Sequence, residues 1–146
     1  MKAKCILLIT LLHLSLTYAS AQELKPLNEV IIQEKSDWNT LYIIQRCLAV
    51  NISISRRMKG SGRSDLEKAL ANYSKNIQAF TMQLLVQAEI LGVSEKLNDL
   101  TDRIEKLRNI YDIMLDESYT LTGNSLSQTV MNDVVQCNDF YRTELQ

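Results

Sequence analysis

Histidine is almost missing from this chain. Its one copy, His13, falls in an N-terminal stretch that reads as an export signal, so everything after that stretch has none. That rules out a Ser/His/Asp or Cys/His nucleophile system, a His-bound zinc, a Glu-x-x-His di-iron site and a His-ligated haem. Cysteine is nearly as scarce. Of the three, Cys5 lies in the same stretch, and Cys47 and Cys137 are too far apart to form a Cys-x-x-Cys redox or haem-attachment motif. With four glycines and one proline there is no Gly-rich phosphate loop, and the acidic spacing of a calcium loop is missing too. No charge of either sign predominates: 16 Lys and Arg, two of them in the signal, stand against 17 Asp and Glu. Such a balance gives no electrostatic reason to expect nucleic acid as a partner. Sustained period-2 alternation is absent, and with it any strand signal.

What is present begins with the signal itself. Lys2 and Lys4 precede an almost uncharged apolar run, Cys5 to Tyr18, and Ala19-Ser20-Ala21 supplies small residues for cleavage, placed here after Ala21. The run is too short to cross a bilayer as a helix, which needs about 20 residues, and nothing later is long and apolar enough. The expected product is therefore periplasmic or secreted, with no transmembrane span after cleavage. Residues 22–35 read as a strap or short helix carrying Val30-Ile31-Ile32, and 36–146 as one domain.

Four helical patterns fill that domain. Asp37 to Met58 follows Ser36 as N-cap and carries two adjoining apolar stripes. One runs through Ile43, Cys47, Val50, Ile54 and Met58, the other through Trp38, Leu41, Ile44, Leu48 and Ile52. A helix so broadly apolar must be covered on more than one side. Gly60 and Gly62 break it. Ser64 and Glu67 offer a capping box for a second helix, whose heptad line is Leu66, Leu70, Tyr73, Ile77, Phe80, Leu84 and Leu91. Gly92 and Ser94 mark a turn. Leu97, Leu100, Ile104, Leu107, Tyr111 and Met114 repeat the rhythm in a third helix, with Asp99/Arg103 and Asp102/Lys106 spaced for pairing on its wet face. After Thr122-Gly123-Asn124, Ser125 and Gln128 form a second capping box before Leu126, Val130, Val134, Cys137 and Tyr141.

Short polar turns between long amphipathic helices predict an all-α, up-down-up-down four-helix bundle. In that topology the first and last helices are neighbours, with Cys47 and Cys137 both near mid-helix on apolar faces, and export supplies the oxidising compartment. A disulfide between them is expected. The alternative is two buried free thiols.

Few residues are candidates for anything further. Asp112, Asp116 and Glu117 could in principle do acid and base work but read as a solvated helix end. Arg56, Arg57, Lys59 and Arg63 form the one basic concentration, a candidate interaction patch that also suits a helix C-terminus without any ligand. Tyr73, Phe80, Tyr111 and Met114 sit at core spacing. Trp38 is either an exposed anchor or packed on the strap. Asn51-Ile52-Ser53 and Asn72-Tyr73-Ser74 are glycosylation sequons inside helices. No cofactor is implied. The functional expectation is an exported non-enzymatic interaction or structural module, monomer or homodimer, with an unknown protein partner; the alternative is a carrier of a small apolar ligand between the helices.

Overall fold

A computed structural model describes residues 24–33, 36–123 and 126–144. The proposed export signal lies outside the described residues. Five helices and no strand are found among those described: α1 (Leu27–Gln33), α2 (Asp37–Gly60), α3 (Glu67–Ile90), α4 (Leu97–Thr122) and α5 (Gln128–Glu144). The four long ones form the expected bundle.

Helix α2 begins where Ser36 caps it, the Oγ accepting from the Asn39 amide at 3.2 Å. Its apolar stripes merge in the folded chain: every residue from Ile43 to Asn51 is buried. That stretch is about two and a half turns at 3.6 residues per turn, so no face of it is left open. The enclosure is built by α1, α3, α4 and α5, all of which pack on α2. By contrast α3 and α4, although consecutive, meet mainly through the turn that joins them. The bundle is thus centred on one apolar helix with the others arranged around it.

Beyond α2, the chain reverses through Ser61 and Gly62 into a 3-10 turn at Ser64–Leu66. The capping box expected there does not form. Neither Ser64 nor Glu67 makes a side-chain cap, because the 3-10 turn supplies the first hydrogen bonds and Arg63 instead clasps Asp65. Helix α3 ends as its sequence predicts. Gly92 takes φ of 64°, the Val93 amide donates to the Ala88 carbonyl at 2.8 Å, and the Gly92 amide to the Glu89 carbonyl at 3.0 Å. That closure separates α3 from α4 and excludes one continuous helix through both. Ser125 lies outside the described residues. Two residues further on, Ser127 caps α5, its Oγ accepting from the Val130 amide at 3.3 Å.

The core is one cluster running through all five helices. Phe80 and Leu84 of α3, Leu100, Ile104, Leu107, Tyr111 and Leu115 of α4, and Val130 and Cys137 of α5 close on α2. Leu115 takes the buried position expected of its neighbour Met114, which is half-buried, and Leu97 is exposed. Phe80 meets Tyr141 edge-on, with ring centroids 6.2 Å apart. Val30 and Leu27 anchor α1, while Ile32 points to solvent.

Candidate functional site

Cys47 of α2 and Cys137 of α5 are joined by a disulfide, with Cα atoms 5.4 Å apart and both residues fully buried. A bond of this kind fits an oxidising compartment. Beside it lies a fully buried polar cluster. Arg46 precedes Cys47, and Asp133 sits one turn before Cys137 on the inner face of α5. The guanidinium donates to Asp133 Oδ2 from Nη2 at 2.7 Å and from Nε at 3.0 Å. The same Nε lies 2.9 Å from the Tyr111 hydroxyl, and that hydroxyl donates a short hydrogen bond to Asp133 Oδ2. Oδ1 accepts from the Leu27 amide at 3.4 Å. One carboxylate therefore holds α1, α2, α4 and α5 together.

All three side chains are enclosed, with no accessible surface on Arg46, Tyr111 or Asp133. Burial works against the charge on Arg46, but attraction to Tyr111 and Asp133 and the bonds they make outweigh it and hold the proton more firmly than usual. Burial also raises the Tyr111 phenol well above its ordinary range, and the Asp133 charge adds to this while Arg46 opposes it. Tyr111 is therefore a neutral donor, not a base. With Oδ2 taken by three donors and all three side chains enclosed, the cluster clamps the fold, and the Arg46 Nη1 is left without a hydrogen-bond partner.

A second polar chain lies alongside. Asn51 donates from Nδ2 to the Cys47 carbonyl at 2.7 Å, and Asn76 of α3 donates to Asn51 Oδ1 at 3.3 Å and to Asn138 of α5 at 3.0 Å. Asn51 is buried and engaged, so the folded protein offers no acceptor at that sequon. Asn72 is exposed. Gln87 of α3 reaches the Asp37 carbonyl at 3.0 Å, and Ser53 the Arg108 carbonyl of α4 at 3.2 Å.

The basic candidates are divided by their pairing. Arg57 bonds Asp116 of α4, and Arg63 grips Asp65 with contacts of 2.5 and 3.0 Å. The hydrogen bond to Asp65 raises Arg63, and the same bond lowers Asp65. Arg56 and Lys59 are exposed with no ion-pair partner among the described residues. Asp116, one of the three acids considered for acid and base work, is thus committed to Arg57. No cluster of His, Cys, Asp and Glu suited to a metal occurs among the described residues. The spacing-based pairs Asp99/Arg103 and Asp102/Lys106 are not closed, as expected of solvated side chains whose attraction is weak.

Sequence reasoning missed Arg46 and Asp133. The signal was there: each carries its charge onto a buried helix face next to a bridged cysteine, one of each sign. Phe80 is core as expected, whereas Tyr111 is a polar tie as much as an apolar filler. Trp38 is about half exposed and lines a surface groove between α2 and α4 with Leu24 at its edge. The outer side of α3 shows the exposed apolar residues Met82, Leu85, Val86 and Ile90. Comparison with protein-family models, curated proteins and solved structures returns no match for this chain.

Proposed function

We propose that the protein is an exported, non-enzymatic helical module that works by contact, and that its contact surface is the outer face of α3, used to bind a second copy of the chain. The broad apolar character of α2 does not support this, because its middle, from Ile43 to Asn51, is enclosed by its own chain. The observation that carries the reading is the exposed strip on α3. Met82, Val86 and Ile90 follow one another at four-residue spacing with Leu85 beside them, on a helix whose opposite face already fills the core. Contiguous exposed apolar side chains with polar edges are the usual mark of an interaction surface.

Charge points to the occupant. Lys75 and Glu89 are exposed, each two turns from Met82 on the same line. Two copies of α3 packed antiparallel about a two-fold axis at Met82 place Lys75 of each against Glu89 of the other, with Gln78 facing Val86 between them. The arrangement is self-complementary, as a two-fold interface requires. A single helix pair lies at the small end of stable interfaces, so the dissociation constant should be on the order of 1–100 µM. Arg56 and Lys59, outside the ion pairs, would then be left for an acidic protein partner.

Sedimentation equilibrium tests the proposal. A concentration-dependent dimer is expected for the oxidised chain, lost in Met82→Lys. It should be weakened in Lys75→Glu and restored in the swapped Lys75→Glu/Glu89→Lys chain. A monomer at millimolar concentration, or a dimer indifferent to all three variants, would overturn it. The other reading, a carrier of a small apolar ligand, is favoured by the groove that Trp38 lines.

A further inference from the structure

We infer that the groove between α2 and α4 is a binding site for a small organic carboxylate with an apolar body. The groove measures about 310 Å³, at the lower end of ligand pockets, which suits a short chain or a single ring. Its walls are apolar: Trp38, Leu41 and Tyr42 from α2 face Leu107 and Ile110 from α4. Such walls alone would fit any oily molecule. What selects among them is Gln45, which lines the same groove, is 2% exposed, and has an enclosed side-chain Nε2 without a hydrogen-bond partner.

A buried donor left unpaired is costly, and the cost is relieved by a ligand that brings an acceptor. Arg103 and Lys106 on α4 also line the groove, both exposed and neither in an ion pair among the described residues. One enclosed amide donor and two unpaired cations over an apolar floor are complementary to a carboxylate head on an apolar body. Bonds from charged donors to a carboxylate are the stronger kind. The α3 strip plays no part in this site, so the ligand proposal stands or falls separately from the dimer.

Trp38 is the only tryptophan in the chain and reports directly on the groove. Octanoate titrated into the full protein should shift Trp38 emission to the blue with a saturable curve, while 1-octanol, of equal length and no charge, should bind about tenfold more weakly. The surface variants Arg103→Gln and Lys106→Gln should each weaken octanoate about fivefold and leave octanol unchanged. Gln45→Met should weaken octanoate to a similar degree. Should that variant not fold, the two surface variants and the octanol comparison decide the matter. Equal affinity for octanoate and octanol, full octanoate affinity in both surface variants, or no saturable change in Trp38 would each overturn the inference.

Discussion

Replacing Asp133 by Asn changes the clamp by little more than a charge. The amide keeps the size of the carboxylate, and its oxygen can take the place of Oδ2, accepting from Arg46 and Tyr111. Its nitrogen then faces the Leu27 amide, donor against donor, where Oδ1 now accepts at 3.4 Å. The larger effect is on Arg46, whose guanidinium keeps its charge but loses its counter-charge in a site with no access to water. Breaking a buried ion pair from one side costs about 3–5 kcal/mol. The retained acceptor favours the lower part of that range, roughly 3–4 kcal/mol. Against a total stability of about 5–15 kcal/mol for a domain of this kind, that is a large share. With a urea slope of about 2 kcal/mol/M, the unfolding midpoint should fall by about 2 M.

The assay is urea unfolding of the oxidised chain followed by circular dichroism, with Asp65→Asn as the comparison. Asp65 also pairs with an arginine, but both groups are exposed, so solvent replaces the contact and the midpoint should scarcely move. If Asp133→Asn behaved like Asp65→Asn, losing less than about 1 kcal/mol, Arg46 would have to be finding water or another acceptor, and the enclosed clamp would be refuted.

Two further outcomes follow from neighbouring features. Reducing the disulfide, whose cysteines are 90 residues apart, should lower stability by about 4–5 kcal/mol on the chain-entropy model. Native protein treated with reductant and an alkylating agent should react far more slowly than protein in urea, since both cysteines are buried. The Tyr111 phenol is raised in the folded state, so the unfolded chain loses its proton first as the solution becomes alkaline. The stability this group contributes is whole below the unfolded value of about 10 and is lost above it, at about 1.4 kcal/mol per pH unit. Tyr73, raised by burial but only half-buried, adds a shallower decline. Stability measured from pH 9 to 11 should therefore fall less steeply in Tyr111→Phe; an unchanged slope would contradict the assignment.

Much of the architecture is legible in the chain because it depends on periodicity and punctuation. Ser36 caps α2, Gly92 and Gly123 end α3 and α4 at positive φ, and the heptad lines of α3 and α4 supply the core. The pairing of Cys47 with Cys137 follows from their place near the middle of helices that topology makes neighbours. Less legible is the local chemistry at helix starts. Ser64 and Glu67 match a capping pattern, yet a 3-10 turn and the Arg63–Asp65 pair take its place, since several arrangements of nearly equal energy satisfy the same free amides. The clamp was hidden for another reason. A charged residue within a helical pattern normally marks the wet face, and only the position of Arg46 and Asp133 beside the bridged cysteines distinguishes them from ordinary surface charges. Nor does a sequence pattern reveal that α2 is enclosed by its own chain while α3 keeps an apolar strip outside.

Enclosure of α2 raises the question of what fixes the helices around it. An apolar cylinder accepts partner helices at many rotations and registers, because contact between aliphatic side chains has little directional preference and cores tolerate much repacking. The bonds that reach α2 are directional: Asp133 and Tyr111 meet Arg46, Asn76 meets Asn51, and Arg108 offers its carbonyl to Ser53. Each sets one helix at one height against α2, and the disulfide sets α5 a second time. We expect this to separate stability from uniqueness. Replacing Arg46 by Met and Asp133 by Leu together removes both charges and leaves apolar volume. The Tyr111 hydroxyl loses both partners at a cost of about 1–3 kcal/mol, which offsets the gain, so the unfolding free energy should stay within about 2 kcal/mol of the parent's, unlike that of Asp133→Asn alone. The price should appear in order: fewer resolved amide signals in the proton–nitrogen spectrum of the reduced double variant than of the reduced parent, under conditions where both are folded. A double variant as well dispersed as its parent would show that the apolar surfaces around α2 suffice to choose the register, and that the clamp adds strength to an arrangement already decided.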